Sequence, residues 1–229
     1  MPERYVIVPT HNRPKWIVPL VESMAAQATA VLVLDNASDP PVDEAALNAA
    51  VVYGGPVYVI RDEEQPPHLS RFWNVMFDFC AKLADGAPAW DVAVLNDDAL
   101  VPFGWFEIVA EALRAHPTAV VAHTGTERVR ELRLLTELTN EALTRMCPHA
   151  FVIRGESGLR ADESMRWWWF DTDLDWQARL TGGVLSVPGP RASNALASES
   201  TKGPLLEQAM RDDETFQAKW GLSESVGLT

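Results

Sequence analysis

Apolar and polar positions along the first half of the chain follow two periods in turn. Short continuous apolar runs predict buried strands, whereas apolar residues that recur every three or four positions predict amphipathic helices. Strands are predicted at 5–8, 30–34, 57–60, 92–95 and 119–122, and helices at 13–24, 69–84 and 104–116. Strands and helices that alternate in this way are typical of an α/β fold with a mostly parallel sheet and helices on both faces.

The second half of the chain has a different pattern. Three tryptophans and a phenylalanine at 167–170 precede an acidic segment, which opens a predicted helix. The elements predicted for this half are a charged helix at 127–146, strands at 150–153 and 184–187, a helix that ends at Leu180 and a last helix at 204–220. We therefore expect one compact domain built from two halves, residues 1–124 and 125–229.

Composition and charge narrow the class of protein. The 229 residues are 47% apolar and 22% charged, which is ordinary for a globular domain. The net charge of −13 argues against nucleic acid or an anionic membrane as the main partner. No apolar run approaches the roughly 18–20 residues of a membrane span, and no signal layout opens the chain. Two cysteines, expected as reduced thiols, complete the expectation of a cytoplasmic protein.

The clearest candidate for chemistry is the triplet Asn96-Asp97-Asp98, which follows the apolar run 92–95. Such a strand delivers its carboxylates to the sheet edge where open α/β folds bind ligands. Side chains alternate along a strand, so Asn96 and Asp98 are predicted to face one way and Asp97 the other. Oxygen ligands suit Mg²⁺ or Mn²⁺ with a phosphate-bearing substrate. A plain turn remains the alternative, because Asp and Asn are common after strands.

The loop after the first strand, residues 9–14, contains no glycine. It therefore lacks both the dinucleotide-binding fingerprint and the phosphate-binding loop of many NTPases, which need glycine for close backbone approach to phosphate. A diphosphate bound at this edge needs another neutralising group. A metal near Asp98 would supply it.

Five segments, in order along the chain, resemble motifs of family 2 glycosyltransferases, which belong to the GT-A class. They are the first strand and loop at 6–14, the second strand and acidic turn at 32–39, the DXD segment at 94–105, the acidic catalytic segment at 169–179 and the late Pro-Gly at 186–189. The resemblance implies a GT-A fold with a Rossmann-like sheet. It also implies that residues 1–124 bind the nucleotide-sugar and that residues 125–229 bind the acceptor and carry the catalytic base.

The resemblance also implies roles for individual residues. Asp98 would hold Mn²⁺ or Mg²⁺, and Asp171 or Asp173 would be the catalytic base. The residues implied to bind the nucleotide-sugar are Pro9, Thr10, Asn12, Arg13, Asp35, Asn36, Arg71, Asn74, Asn96 and Asp97. Two positions depart from the family pattern: Asn96 replaces the first acid of the triplet, and Asn194 stands where the family often has a metal-binding histidine.

The expected function is metal-dependent, inverting transfer of a sugar from a nucleotide-diphosphate donor to a hydroxyl acceptor, such as a glycan, a lipid-linked sugar or a protein. A sugar-phosphate nucleotidyltransferase is one alternative, although it should have a glycine-rich first loop. A catalytically silent sugar- or nucleotide-binding module is another, and Asn96 and Asn194 favour it. Structural roles also compete at single positions, with Asp35 as a turn cap and the acids at 171–175 as stabilisers of a helix start.

Overall fold

The structure, a computed structural model, describes residues 2–125, 129–139, 145–195 and 202–222. Its strands are β1 (Glu3–Thr10), β2 (Ala30–Asn36), β3 (Val57–Asp62), β4 (Trp90–Leu95), β5 (Ala99–Leu100), β6 (Val121–His123), β7 (Arg133–Leu135), β8 (Ala150–Arg154), β9 (Val184–Ser186) and β10 (Ser193–Asn194). Its α-helices are α1 (Pro14–Ala25), α2 (Glu44–Ala50), α3 (Leu69–Leu83), α4 (Trp105–Ala115), α5 (Phe170–Thr181) and α6 (Pro204–Trp220).

Eight of the strands form one sheet in the order β3-β2-β1-β4-β8-β6-β9-β7. The first four run parallel, β8 is antiparallel to both of its neighbours, and β9 is again parallel to β6. The sheet is therefore mostly parallel, as predicted. Since β1, β2 and β4 are parallel neighbours, the loops that follow them emerge at one edge of the sheet.

The core lies in two layers, one on each face of the sheet. Side chains alternate along β1, so that Ile7 packs into one layer and Val8 into the other. Helices α3, α5 and α6 cover the first layer, where Phe72, Phe170 and Phe216 are buried, while α1, α2 and α4 cover the second. Every residue of β2 and β4 is buried, which explains their continuous apolar runs. Helices on both faces confirm the predicted architecture.

One predicted helix is wrong where the structure describes it. Residues 133–135, inside the charged stretch 127–146, form the edge strand β7, which pairs antiparallel with β9. The backbone of this segment pairs with β9 at the edge of the sheet. Leu134 stays partly exposed at 38%, so the apolar residues of this stretch do not form the buried face of a helix. Residues 127–128 and 140–144 of that prediction lie outside the described residues.

The sequence analysis did not predict helix α2 or strands β5 and β10. Helix α2 begins after Asp43, whose side chain accepts the backbone N–H of Ala46 at 3.0 Å. Strands β5 and β10, of two residues each, pair antiparallel in a small second sheet. Two-residue strands are too short for any period to be recognised. No helix in the described parts of the chain is both long and apolar enough to cross a membrane.

Candidate active site

The first loop and the acidic triplet meet at the carboxyl edge of the sheet. Thr10, the last residue of β1, donates a hydrogen bond from Oγ1 to Oδ2 of Asp97 at 2.8 Å. Arg13 Nη1 lies 2.9 Å from Asp97 Oδ1 and 3.8 Å from Asp98 Oδ2. Both carboxylates are buried, at 7% and 6% exposure. Two buried acids therefore converge on one cationic group.

The alternation predicted for this triplet does not apply, because β4 ends at Leu95 and residues 97–98 form a turn. Asp97 and Asp98 consequently approach the same guanidinium instead of facing opposite ways. Burial raises the pKa of Asp97, although the charge of Arg13 and the hydrogen bond from Thr10 partly oppose the effect. Asn96, which is half-buried, donates its backbone N–H to the carbonyl of His149 at 3.1 Å.

A late segment of the chain returns to the triplet. Strand β10 pairs with β5 so that Asn194 lies opposite Ala99, and the N–H of Ala195 donates to the carbonyl of Asp98 at 2.8 Å. The position where the family often has a histidine is thus next to the acidic pair. Burial lowers the pKa of nearby His149, although the charge of Asp98 opposes this effect. The lowered pKa favours a neutral imidazole. Sequence analysis gave no signal for His149, whose neighbourhood depends on β8 lying beside β4.

Asp35, near the end of β2, stabilises the turn that follows the strand. Its buried carboxylate accepts the N–H groups of Ser38 and Val42 at 3.1 and 2.9 Å, and Arg61 Nη1 at 2.6 Å. Burial raises the pKa of Asp35, but these hydrogen bonds outweigh burial and leave it below its ordinary value. The turn-cap reading is supported on geometry, while contact with the nucleotide stays a prediction.

The first and second loops are joined by direct hydrogen bonds. Asn12 accepts the N–H of Asp39 at 2.7 Å and donates its own N–H to Ser38 Oγ at 2.9 Å. Asn36 donates its side-chain amide to the carbonyl of Glu64 at 3.0 Å. Pro9, half-buried in β1, lies opposite Leu34 of β2. Pro9, Asn12 and Asn36 are therefore gathered at the same edge as Thr10.

The two nucleotide candidates on α3 have other partners. Arg71 pairs with Asp62 at 2.5 Å and with Glu64 at 2.7 Å, at the end of β3. The side-chain amide of Asn74 donates to the carbonyl of Ala161 at 2.9 Å and accepts its N–H at 3.0 Å. Arg71 thus borders the second loop, whereas Asn74 is bonded to the segment that precedes α5. Their contact with a nucleotide remains a prediction.

The two candidate bases at the start of α5 differ in how far their carboxylates are engaged. Asp173 is fully buried and accepts hydrogen bonds from Gln177 at 2.5 Å and Trp220 Nε1 at 2.9 Å, with Lys219 Nζ at 2.8 Å. Asp171 is half-buried and accepts the N–H of Thr172 at 2.8 Å. Burial raises the pKa of Asp171 against smaller opposing effects. The carboxylate of Asp171 has fewer partners than that of Asp173, so Asp171 stays the preferred candidate for the base.

The tryptophan run preceding α5 is partly core. Trp169 is buried and stacks on Phe216 of α6, with ring centroids 5.0 Å apart and an interplanar angle of 26°. Trp167 and Trp168 are half-buried. Asp212 of α6, which sequence analysis missed, accepts the backbone N–H groups of Trp167 and Trp168. Asp212 is followed by Asp213 and Glu214, and nothing in this acidic run of α6 distinguishes the one carboxylate that makes such a contact.

Among the described residues, no group of three or more His, Cys, Asp and Glu side chains forms a metal cluster. A mostly parallel sheet with an acidic pair at its carboxyl edge, and a first loop without glycine, agree with the GT-A fold that the sequence resemblance implies. The model of the Glycosyl transferase family 2 matches residues 5–176, most of the chain, which therefore belongs to this family. The protein is a glycosyltransferase.

Solved structures support the same fold. Two crystal structures of glucosyl-3-phosphoglycerate synthase from Mycobacterium tuberculosis superpose with TM-scores of 0.62 and 0.61, at 14% and 15% sequence identity. The matches cover 98% of this chain, and 82% and 80% of the other chains. Those structures contain Mn²⁺ and UDP, with glucosyl-3-phosphoglycerate in one and phosphoglyceric acid in the other. No curated protein sequence matches the chain.

Proposed function

We propose that the protein transfers a sugar from a nucleoside-diphosphate donor to a hydroxyl acceptor, with inversion and with the help of a divalent cation. The observation that carries the proposal is the convergence of Asp97 and Asp98 on one cationic group at the carboxyl edge of β4. The donor half would comprise residues 1–124, and the acceptor half residues 125–229.

The acidic pair fits a divalent cation on its own chemistry. The guanidinium of Arg13 acts as a stand-in, because it places positive charge within reach of both carboxylates. Carboxylate oxygens are the ligands that Mg²⁺ and Mn²⁺ favour. Asp98 would hold the ion, with Asp97 beside it and Asn194 as an additional oxygen ligand. When bound, the ion would offset the charge that develops on the departing diphosphate.

The donor would lie across the loops that follow β1, β2 and β4. Thr10, Asn12 and Asn36 are gathered at this edge, and Arg13 would turn from the acids towards the diphosphate. The matching crystal structures contain UDP, which makes a uridine nucleotide the first donor to test. Arg71 would approach the nucleotide from the side of β3.

Asp171 would deprotonate the acceptor hydroxyl. A single displacement at the sugar carbon needs a positioned carboxylate but no protein nucleophile, and such a base contributes about 10²–10⁴-fold in rate. The hydroxyl proton passes to the carboxylate as the new glycosidic bond forms and the bond to diphosphate breaks. The phosphate-bearing compounds in the matching structures suggest phosphorylated hydroxy acids among the acceptors to screen.

Cys80 and Cys147 are free thiols, which supports action in the cytoplasm.

Of the functions raised by the sequence, the family match favours glycosyl transfer over the nucleotidyltransferase. A thermal-shift screen of UDP-, GDP- and dTDP-sugars, with and without Mn²⁺, tests donor binding, since a ligand at 100 times its Kd stabilises by about 2.7 kcal/mol. Asp98→Asn should abolish the Mn²⁺-dependent part of the stabilisation. Asp85→Asn, which removes an exposed carboxylate from the turn between α3 and β4, should leave that part intact. Unchanged Mn²⁺-dependent binding by Asp98→Asn would remove Asp98 from the site.

Turnover and stereochemistry need a second measurement. Release of nucleoside diphosphate with a panel of hydroxyl acceptors, including 3-phosphoglycerate, should detect transfer, and NMR should show the product anomer opposite to that of the donor. A product with the donor's anomeric configuration would overturn inversion. Tight nucleotide binding without turnover on any acceptor would indicate the silent binding module.

A further inference from the structure

Helix α6, residues 204–220, lies beyond the matched region 5–176 and yet contacts the segment that carries the candidate base. Its Asp212 is fully buried. The carboxylate accepts the backbone N–H groups of Arg166, Trp167 and Trp168 at 3.0, 2.7 and 2.9 Å. Gln208 Nε2, one turn earlier in the helix, donates to the same carboxylate at 2.7 Å.

Three consecutive N–H groups that point to one carboxylate form an anion-binding concavity made of backbone. Charge-assisted hydrogen bonds of this kind are stronger than those between neutral groups. They fix the backbone just before Trp169, which has a left-handed φ of +67° and directly precedes α5. A non-glycine residue keeps that conformation only when its surroundings hold it there. Asp212 is the buried charge that holds this turn from one side.

Other contacts attach α6 along the same segment. Phe216 stacks against Trp169, and Trp176 of α5 lies 5.0 Å from Phe216 between ring centroids. Lys219 Nζ is 2.6 Å from Asp162 Oδ2 and 2.8 Å from Asp173 Oδ1. Asp171 itself makes none of the bonds that α6 donates or accepts among the described residues. Helix α6 therefore contacts the chain on both sides of Asp171, while the carboxylate of Asp171 stays available for catalysis.

We propose that α6 positions Asp171 for catalysis, with Asp212 as the principal positioning residue and Lys219 as a second attachment. The proposal rests on the proposed function, since it takes Asp171 as the base. It assigns a role in the reaction to a helix outside the matched family region. Asp212 touches neither donor nor acceptor in this arrangement; it acts through the backbone of residues 166–169.

The test compares Asp212→Asn with Glu214→Gln, a matched loss of one carboxylate charge at an exposed position of the same helix. Asparagine keeps the shape but turns an amide NH₂ towards N–H donors. We expect amide hydrogen exchange at residues 166–171 to speed up at least roughly tenfold in Asp212→Asn. We expect kcat for UDP-sugar turnover to fall about 10- to 100-fold, the effect of a displaced catalytic group. The Kd for UDP with Mn²⁺ should stay within about twofold of the parent value.

The outcomes separate the two proposals. A parent protein that turns over no nucleotide-sugar would contradict the proposed function, while the exchange measurement would still decide whether α6 holds the segment. Full activity in Asp212→Asn, or unchanged exchange at 166–171, would overturn the positioning role. An equal loss in Glu214→Gln would do the same, because it would assign the effect to charge.

A second variant guards against a misfolded Asp212→Asn. Lys219 lies at the surface, and Lys219→Met removes its ion pairs with Asp162 and Asp173 while keeping its aliphatic stem. We expect faster exchange around 171–173 and a smaller drop in kcat, again with UDP binding intact. Unchanged exchange and unchanged kcat in Lys219→Met, with a folded protein, would overturn the attachment.

Discussion

At the scale of the residue, Arg13 partly neutralises the two carboxylates of the acidic pair. One guanidinium balances two carboxylates that would otherwise repel each other in a buried turn. A divalent cation bound by the same acids has to compete with this internal cation. The donor brings negative charge, to which Arg13 can transfer its bonds. Metal and donor should therefore bind better together than the metal binds alone.

Arg13→Ala is expected to separate these two effects. Removing a charge that competes at about 4 Å in a solvated site should tighten Mn²⁺ binding without nucleotide by roughly fivefold. UDP binding in the presence of Mn²⁺ should weaken, because a diphosphate partner is lost. Titration calorimetry with Mn²⁺ alone and then with UDP measures both changes. Lys15→Ala, which removes an exposed charge two residues later, in the first turn of α1, is the control. Weaker Mn²⁺ binding in Arg13→Ala would contradict competition.

Asp171 and Asp173 should respond differently to the same substitution. Asp171→Asn should lower kcat about 10²–10⁴-fold with little change in donor affinity, as expected for the loss of a general base. Asp173→Asn should instead lower the free energy of unfolding by about 1–3 kcal/mol, since its buried carboxylate receives several donors. Kinetics at saturating donor and urea unfolding distinguish them. An inactive but stable Asp173→Asn, beside an active Asp171→Asn, would make Asp173 the base.

At the scale of the element, the β5–β10 pair brings two distant parts of the chain together. Its ladder sets Asn194 opposite Ala99, directly after the triplet. The bond from the N–H of Ala195 to the carbonyl of Asp98 extends the contact to the acidic pair itself. We therefore expect a side chain at position 194 to lie near any metal that Asp98 holds, and that of its neighbour Ser193 to project from the other side of the strand.

Asn194→His is expected to strengthen metal binding. A neutral imidazole is a better ligand for Mn²⁺ than a carboxamide, and a gain of roughly tenfold in affinity corresponds to about 1.4 kcal/mol. Calorimetry or the loss of the free Mn²⁺ EPR signal measures the change. Ser193→His carries the same group one residue earlier and should leave the affinity unaltered. An equal gain in both variants would indicate nonspecific binding by any added histidine.

How far the elements could be predicted from the sequence depended on where their partners lie. Strands β1, β2 and β4 were recognisable because central strands that are buried on both faces contain continuous apolar runs. The edge strand β7 was mistaken for a helix, since its leucines serve neither core layer fully. Asp97 was recognisable from its place after a strand, but its convergence with Asp98 on Arg13 depends on a turn. The role of Asp212 could not be predicted from the sequence, because its hydrogen-bond partners lie more than 40 residues earlier in the chain.

At the scale of the whole molecule, the buried His123 links stability to pH. Its Nδ1 accepts the N–H groups of Gly125 and Cys147 at 3.0 and 3.3 Å, and within the described chain its Nε2 has no partner. Burial, with a smaller effect of the charge of Arg179, lowers the pKa of His123 from 6.5 to about 3. His123 therefore binds a proton below pH 6.5 in the unfolded chain, but only below about pH 3 in the folded chain. Stability should fall over this interval as the pH falls.

The expected slope is about 1.4 kcal/mol per pH unit for one proton, or about 2 kcal/mol between pH 6.5 and pH 5. Urea unfolding of the parent and of His123→Gln at pH 7 and pH 5 isolates this contribution. The variant should lose less stability on acidification, by about that amount. His116→Gln, at a partly exposed histidine, should behave like the parent. Parallel losses in the parent and in His123→Gln would contradict the assignment.

The order of strands in the sheet also has a consequence for synthesis on the ribosome. Among the described strands, β8 connects β6 to the parallel half and β9 connects β7 to the sheet, so β6 and β7 are each made before the strand that connects them. Residues 133–135 leave the ribosome about fifty residues ahead of their partner at 184–186. The first four strands can assemble early as a parallel unit. The edge of β4 therefore stays unpaired until β8 has been made, and the part of the sheet beyond β8 is completed only after β9 emerges. Helix α5, which begins beside Asp171 and directly precedes β9, is made in the same late interval.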